Sequence, residues 1–329
     1  MQYPGYKITL GSTIIDSIAD STSSTVISLE VELNINASAD TFNIVLAQVN
    51  GLVVNKGDSC QVELGDTDNL TKVIEGTIEA IESNIRWLEV KGFNSISKLV
   101  NLRINQIYES QTAGAIVANL AGQAEVTMGE KEDGIKFPFY TIDSTKNGYE
   151  HVRDLARRCG FDVYLTPDGK LTFKEFTKIS ADHTFEYGQD IIEFEKYAKK
   201  EIASQVSVFG ESPASSQGDE TLHWLTKSFE DYKGTAGTGT KLQLEDAVIK
   251  TKDAADTFAQ AELKNIKKNA VSGLLKILGN ANLKLGDAIE INKMPNEEMN
   301  GVFQVRSVGH YLSKDTGFIT KIGIGGLGN

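Results

Sequence analysis

The sequence predicts an α+β chain that is mainly β. A small β-barrel stands at each end, a mixed α/β middle lies between, and a segment of loops and one helix is inserted. Three observations carry this. Residues 26–104 form short runs of alternating apolar and polar side chains separated by glycines. The middle switches to a helical period. Residues 274–324 return to strands and repeat, in order, a turn-and-strand series from the first end.

The size suits this layout. The chain has 329 residues, and at roughly 150 residues per domain that is about two domains. Hydrophobic residues are 40% and charged residues 24%, a balance that builds packed cores. A net charge of -12 argues against a basic phosphate-binding face as the main business, so no specific nucleic-acid binding is expected. No apolar run reaches the ~18 residues of a membrane-spanning helix. Met1-Gln2-Tyr3-Pro4 lacks the charged and apolar regions of a secretory signal. Cys60 and Cys159 cannot staple a fold, and they suit a chain made in a reducing cytoplasm.

At the first end, Val26, Ile27, Leu29, Val31, Leu33 and Ile35 open the strands, and Phe42–Leu46 follows. Then come Cys60–Leu64, 73–81 and 87–90, punctuated by Gly51, Gly57, Gly65 and Gly76. Short antiparallel strands at this spacing suggest a barrel or sandwich. In the middle, Ala113, Ile116, Val117, Leu120 and Ala121 share one helical face, with Thr112 as N-cap and Gly122 as stop. A second helix spans 146–159 and ends at Gly160 as a left-handed cap. Thr166-Pro167-Asp168-Gly169 then turns a hairpin, because proline presets φ and glycine supplies the positive φ that closes it.

Residues 210–218 and 234–240 read as loops by composition. A third helix covers 253–270, with Ala255, Phe258, Ala259, Leu263, Ile266 and Ala270 on one stripe. The predicted domains are 1–105 (first barrel), 106–187 (α/β middle), 188–212 plus 271–329 (second barrel) and 213–270 (insertion). Linking the two ends, Lys56-Gly57-Asp58-Ser59-Cys60-Gln61-Val62-Glu63-Leu64 echoes Leu285-Gly286-Asp287-Ala288-Ile289-Glu290-Ile291. Each is followed by a glycine that opens a strand, Gly76 and Gly301, and then by a closing strand. Two barrels of related design follow from that order.

Catalytic and cofactor patterns fail on mechanism. Gly323-Ile324-Gly325-Gly326-Leu327-Gly328 has no helix after it to hold a pyrophosphate. In Gly234-Thr235-Ala236-Gly237-Thr238-Gly239-Thr240-Lys241 the lysine does not follow the last glycine, so a phosphate loop is not formed. The four histidines are scattered and adjoin neither cysteine, so no metal or cofactor is expected. Glu130/Glu132/Asp133, Glu193/Glu195 and Glu297/Glu298 read as solvated surface in an acidic chain. Cys159 reads as a buried small hydrophobe. Arg153, Arg157 and Arg158, and Lys264, Lys267 and Lys268, read as solvated faces or as complements to a helix C-terminus. Trp224 and Phe229 are the candidate interface residues: either partner anchors, or pins holding the insertion to its own domain.

The run Tyr149-Glu150-His151-Val152-Arg153-Asp154-Leu155-Ala156-Arg157-Arg158-Cys159-Gly160, then Phe161-Asp162-Val163-Tyr164-Leu165 and Asp168-Gly169-Lys170-Leu171-Thr172-Phe173, carries a family signature. So do Gly279-Asn280-Ala281-Asn282-Leu283-Lys284-Leu285-Gly286-Asp287, Asn300-Gly301-Val302-Phe303-Gln304-Val305 and His310-Tyr311. In this order the chain resembles the baseplate hub proteins of contractile phage tails, the late control protein D family. It is similar also to the hub half of type VI secretion spike proteins. The resemblance implies a structural protein without enzymatic activity, made in the cytoplasm and built into a tail baseplate or an injection particle. It implies a homotrimer whose two tube-protein-like barrels per chain meet a six-fold tail tube. The middle would grip a three-fold spike, expected as a separate protein, beside other baseplate proteins. A tail-associated cell-wall hydrolase and a glycan-binding adhesin are the competing readings.

Overall fold

The computed structural model describes residues 4–18, 25–35, 37–48, 52–210 and 232–328. The first end supplies β1 (Pro4–Leu10), β2 (Thr13–Asp16), β3 (Val26–Asn34), β4 (Thr41–Ala47), β5 (Ser59–Asp66), β6 (Asn69–Ser83) and β7 (Trp87–Phe93). The middle follows with α1 (Ile96–Asn101), β8 (Gln106–Thr112), α2 (Ala113–Gln123), β9 (Met128–Lys131), β10 (Lys136–Ile142), α3 (Gly148–Cys159), β11 (Phe161–Leu165) and β12 (Leu171–Glu175). Next come β13 (His183–Glu186), β14 (Ile191–Ala198), β15 (Gln205–Phe209), β16 (Lys233–Gly237), β17 (Lys241–Glu245) and α4 (Lys252–Ala270). The chain finishes with β18 (Val271–Leu278), β19 (Ala288–Asn292), β20 (Gly301–Ser313) and β21 (Gly317–Gly325).

The class is α+β and mainly β, as expected. No closed barrel forms among the described residues. Instead the two ends join into one 13-stranded sheet in the order β14-β18-β21-β20-β3-β4-β7-β6-β5-β1-β2, with β19 on β20 and β13 on β19. Side chains alternating inward along these strands build one shared core, in which Ile8, Ile44, Val62 and Ile78 meet Ile289, Val305 and Ile322. These seven side chains are fully buried, each contributing about 1.5–3 kcal/mol on leaving water.

A second core holds the middle together with β15 and α4. Ile116, Leu120, Leu155 and Phe173 of the middle pack with Val206, Val208, Ala255 and Phe258. The Thr112 side chain caps α2 by accepting from the Ala115 N–H, worth about 1 kcal/mol. α2 runs through Gly122 to Gln123 rather than stopping there. Asn147 and Glu150 form a reciprocal capping box on α3, and Gly160 closes it at φ 74°. The hairpin after β11 turns at Gly169 (φ 69°), with the Gly169 N–H donating to Thr166 O at 2.9 Å.

The stretch 234–240, read as a loop, begins as strand β16. A Cβ on Gly234 would lie 2.0 Å from the Ala255 carbonyl carbon. The glycine lets strand and helix α4 touch backbone to backbone, a use that composition cannot distinguish from flexibility.

Candidate assembly interface

The two ends are built alike down to single hydrogen bonds. In the first, the Gly57 N–H donates to Ile78 O (2.8 Å) and the Ile78 N–H donates to Asp58 O (2.9 Å). In the second, the Gly286 N–H donates to Val305 O (3.2 Å) and the Val305 N–H donates to Asp287 O (2.8 Å). Asp58 Oδ2 accepts from the Asn55 N–H at 2.9 Å. Asp287 Oδ2 accepts from the Lys284 N–H, also at 2.9 Å. Both glycines sit at positive φ, 91° and 77°, where L side chains are strained.

Two pairs of bulges also coincide, while the bulge of β6 against β5 at Val73 has no counterpart between β20 and β19. Against β7, strand β6 skips Glu79; against β21, strand β20 skips Arg306. Against β4, strand β3 skips Ile27; against β18, strand β14 skips Ile192. Both skipped isoleucines are exposed, 40% and 49%. Bulges are specified features, so four matched positions define a repeated unit. Its strand order is β3-β4-β7-β6-β5 in one copy and β14-β18-β21-β20-β19 in the other.

The copies join through β3 and β20, antiparallel, from Ser307↔Asn34 to Ser313↔Ser28. Val308 and Leu33 are buried there, and His310 faces Val31 with no exposure. His310 Nδ1 lies 3.1 Å from Thr320 Oγ1, and burial pulls its pKa down to about 4. It is a neutral core histidine. Opposite Glu32, Gly309 leaves room for the carboxylate: a Cβ there would come 2.9 Å from Oε1. Burial, reinforced by Glu30 and opposed by Lys321, raises the Glu32 pKa to about 7.

The repeat leaves two edges open. Among the described residues, the segment of β6 beyond its bulge has β7 on one side and no strand on the other. Strand β14, among the described residues, ends the sheet and pairs with β18 alone. One large exposed apolar side chain, Ile85 (96%), lies near the first, and four, Ile192, Tyr197, Leu274 and Leu278, lie at the second. Exposed apolar groups beside an unpaired strand edge mark a surface that another chain can cover.

Between sheet and middle lies an open cleft of about 830 Å³, lined by Lys72, Asp162, Tyr164, Asp168, Lys178 and Asp287 among others. Several of its charges pair with one another. Lys72 pairs with Asp168 at 2.8 Å, and Lys178 with Asp287 at 3.1 Å. Among the described residues no group of three or more His, Cys, Asp or Glu is placed to hold a metal ion. No helix of the described chain is long and apolar enough to cross a membrane.

Trp224 and Phe229 lie outside the described residues. Cys159 is buried, and burial pushes its thiol up to about 11. Arg157 and Arg158 lie in the last turn of α3, and Lys267 and Lys268 in that of α4, where a helix C-terminus favours cations, and several also have specific partners. Arg157 reaches Glu262 through two bonds of 3.1 Å, and Arg158 meets Asp246 at 2.7 Å with both side chains largely covered. Lys268 is buried 3.9 Å from Asp162, and burial lowers its pKa. These cations bind α3 and α4 to their surroundings; a one-dimensional charge pattern cannot reveal partners so distant in sequence. Sequence reasoning also missed the β3–β20 seam and the open edges. The paired isoleucines at the bulges were the available signal.

No family model and no curated protein matches the sequence. Solved structures do match in fold. A 43 kDa tail protein of prophage MuSo2 from Shewanella oneidensis superposes with a TM-score of 0.73 at 13% identity, covering 98% of each chain. A tail protein from Neisseria meningitidis superposes with a TM-score of 0.74 at 14% identity, covering 98% of this chain and 96% of that one. An E. coli component of the type VI secretion system, described as structurally similar to the T4 tail proteins gp27 and gp5, superposes at 0.62 with 10% identity. It is matched over 91% of this chain and 73% of its own length. The chain therefore has the fold shared by phage tail proteins and type VI spike-related proteins.

Proposed function

We propose that the chain is a structural, non-enzymatic part of a phage-type tail or related injection machine. Its place is the baseplate hub, as a homotrimer that adapts a six-fold tail tube to a separate three-fold spike. The duplicated β-unit carries this reading. A three-fold assembly that must meet a six-fold one leaves unmatched surface, unless each chain offers two equivalent surfaces. The twin Gly-Asp turns and matched bulges supply that equivalence. The fold likeness to tail proteins and to a type VI component supports the same setting. Trp224 and Phe229 are proposed as contacts to a partner in the particle.

Native mass measurement tests this, on the chain alone and with the spike and tube proteins encoded beside it. Three copies, binding both partners, are expected. A chain that stays monomeric and binds neither overturns the proposal, as does cleavage of cell-wall polymer by the purified protein.

A further inference from the structure

We propose that the open edge of β14 pairs with the open edge of β6 in a second copy of this chain, in the register that β3 and β20 already use within one copy. The inference rests on the hub reading and adds to it a residue-level interface. The matched bulges set the equivalence. Ile27 answers to Ile192, so four residues further on Val31 answers to Lys196. Arg306 answers to Glu79, so four residues further on His310 answers to Ser83. Within the chain, His310 faces Val31, Gly309 faces Glu32, Val308 faces Leu33 and Ser307 faces Asn34. Between copies, Ser83 then faces Lys196, Glu82 faces Tyr197, Ile81 faces Ala198 and Ala80 faces Lys199.

Three observations favour a second copy over an unrelated strand. Each open edge is the counterpart of an edge that the other repeat has filled, so the seam between copies continues the seam within one. Charge is complementary over the facing span: the β6 edge from Glu79 to Ser83 carries two acids and no base, residues 196–200 bring Lys196, Lys199 and Lys200, and the acids of β14, Glu193 and Glu195, lie before that span. The register also brings the exposed Ile85 toward the Ile192 end of β14, which covers apolar surface on both sides. The contact is heterologous, since the two edges differ, and a heterologous contact builds a ring when its rotation closes. Six repeats in three chains then alternate internal and external seams.

Paired cysteines test the register in the full chain. One variant carries Ser83→Cys with Lys196→Cys; a second carries Glu82→Cys with Tyr197→Cys. Directly opposed residues in an antiparallel pair lie about 4.5–5.5 Å apart, within disulfide reach. Under mild oxidation each double variant is expected to run as a covalent trimer. Single-cysteine variants should not, because the native Cys60 and Cys159 are buried. A native trimer that cross-links at neither pair, or only at the shifted pair Ser83→Cys with Ala198→Cys, overturns this register and leaves the hub reading standing. A cross-link within one chain overturns it too. A chain that never forms trimers overturns both.

Discussion

The twin turns allow one substitution to be made twice in a single molecule, with different surroundings. Asp58→Ala and Asp287→Ala each remove the carboxylate that accepts a backbone N–H at 2.9 Å. That loss is worth about 1 kcal/mol at a partly exposed turn. Asp58 adds only a long contact from the Asn55 side chain, 3.4 Å. Asp287 adds Lys178 Nζ at 3.1 Å and His183 Nε2 at 3.3 Å, with its own side chain only 14% exposed. Losing both partners at that burial costs about 1–2 kcal/mol more. Asp58→Ala should therefore destabilise by about 1 kcal/mol and Asp287→Ala by about 2–3 kcal/mol. Urea midpoints at fixed protein concentration read the difference directly, provided the slope m is unchanged. Burial alone would raise the Asp287 pKa, but the bonds from His183, Lys178 and the Lys284 N–H outweigh it and hold the carboxyl below its usual value. A lowered folded pKa gives stability that is present above the unfolded value near 3.9 and lost as pH falls through the folded one. The extra cost of Asp287→Ala should therefore fade in acid. Equal losses at the two sites, or a larger loss at Asp58, would refute the reasoning.

The glycines beside them separate in the same way. Both occupy positive φ, so an alanine costs about 1–2 kcal/mol at either. A Cβ on Gly57 meets open space, whereas one on Gly286 would lie 2.4 Å from the Tyr164 hydroxyl. Gly286→Ala should lower the melting temperature more than Gly57→Ala, and a Tyr164→Phe background should narrow the gap. Asp40 and His310 set opposing pH slopes. Burial raises Asp40 to about 7, against the bonds from the Asn34 N–H and Asn94; its contribution falls as pH rises from about 4 toward 7. Burial lowers His310 to about 4; its contribution falls as pH drops from about 6.5 toward 4. Asp40→Asn combined with Glu32→Gln, whose carboxyl is likewise raised to about 7, should remove the first slope and expose the second, so urea stability of the double variant should decline on acidification below pH 6.5. A variant profile shaped like the wild type would count against the assignment.

What the sequence made legible was local chemistry. The Gly-Asp turns stood out because a positive φ and a carboxylate capping a backbone N–H need those residue types at adjacent positions. α3 and the hairpin at Gly169 stood out for the same reason. What stayed hidden depends on approach between distant segments. The seam of β3 with β20 joins residues about 280 positions apart, and nothing in either strand alone names its partner. Two separate barrels were the natural reading of two separated β-rich ends, yet strands that meet edge to edge share one sheet. Gly234 looked like loop because a glycine that admits a helix backbone has the same composition as one that bends a chain.

The divergence between the repeats has a location, and it bears on the proposed change from six-fold to three-fold symmetry. The hairpin of β3 and β4 closes over residues 35–40. Its counterpart, β14 and β18, opens to admit an insertion whose β15, β16 and α4 add side chains to the core of the middle. The middle then holds the two repeats by different bonds. It meets the first through the Tyr149 hydroxyl on Ala37 O at 2.5 Å and through Asp168 on Lys72. It meets the second through Asp162 on the Gln304 side chain at 2.5 Å and through Lys178 on Asp287. The copies thus stay alike in sheet order and turns, and differ where the middle is attached. In the proposed ring, one face offers six near-equivalent repeats and the attached middles number three. In that proposal the symmetry change is carried by which repeat holds the insertion.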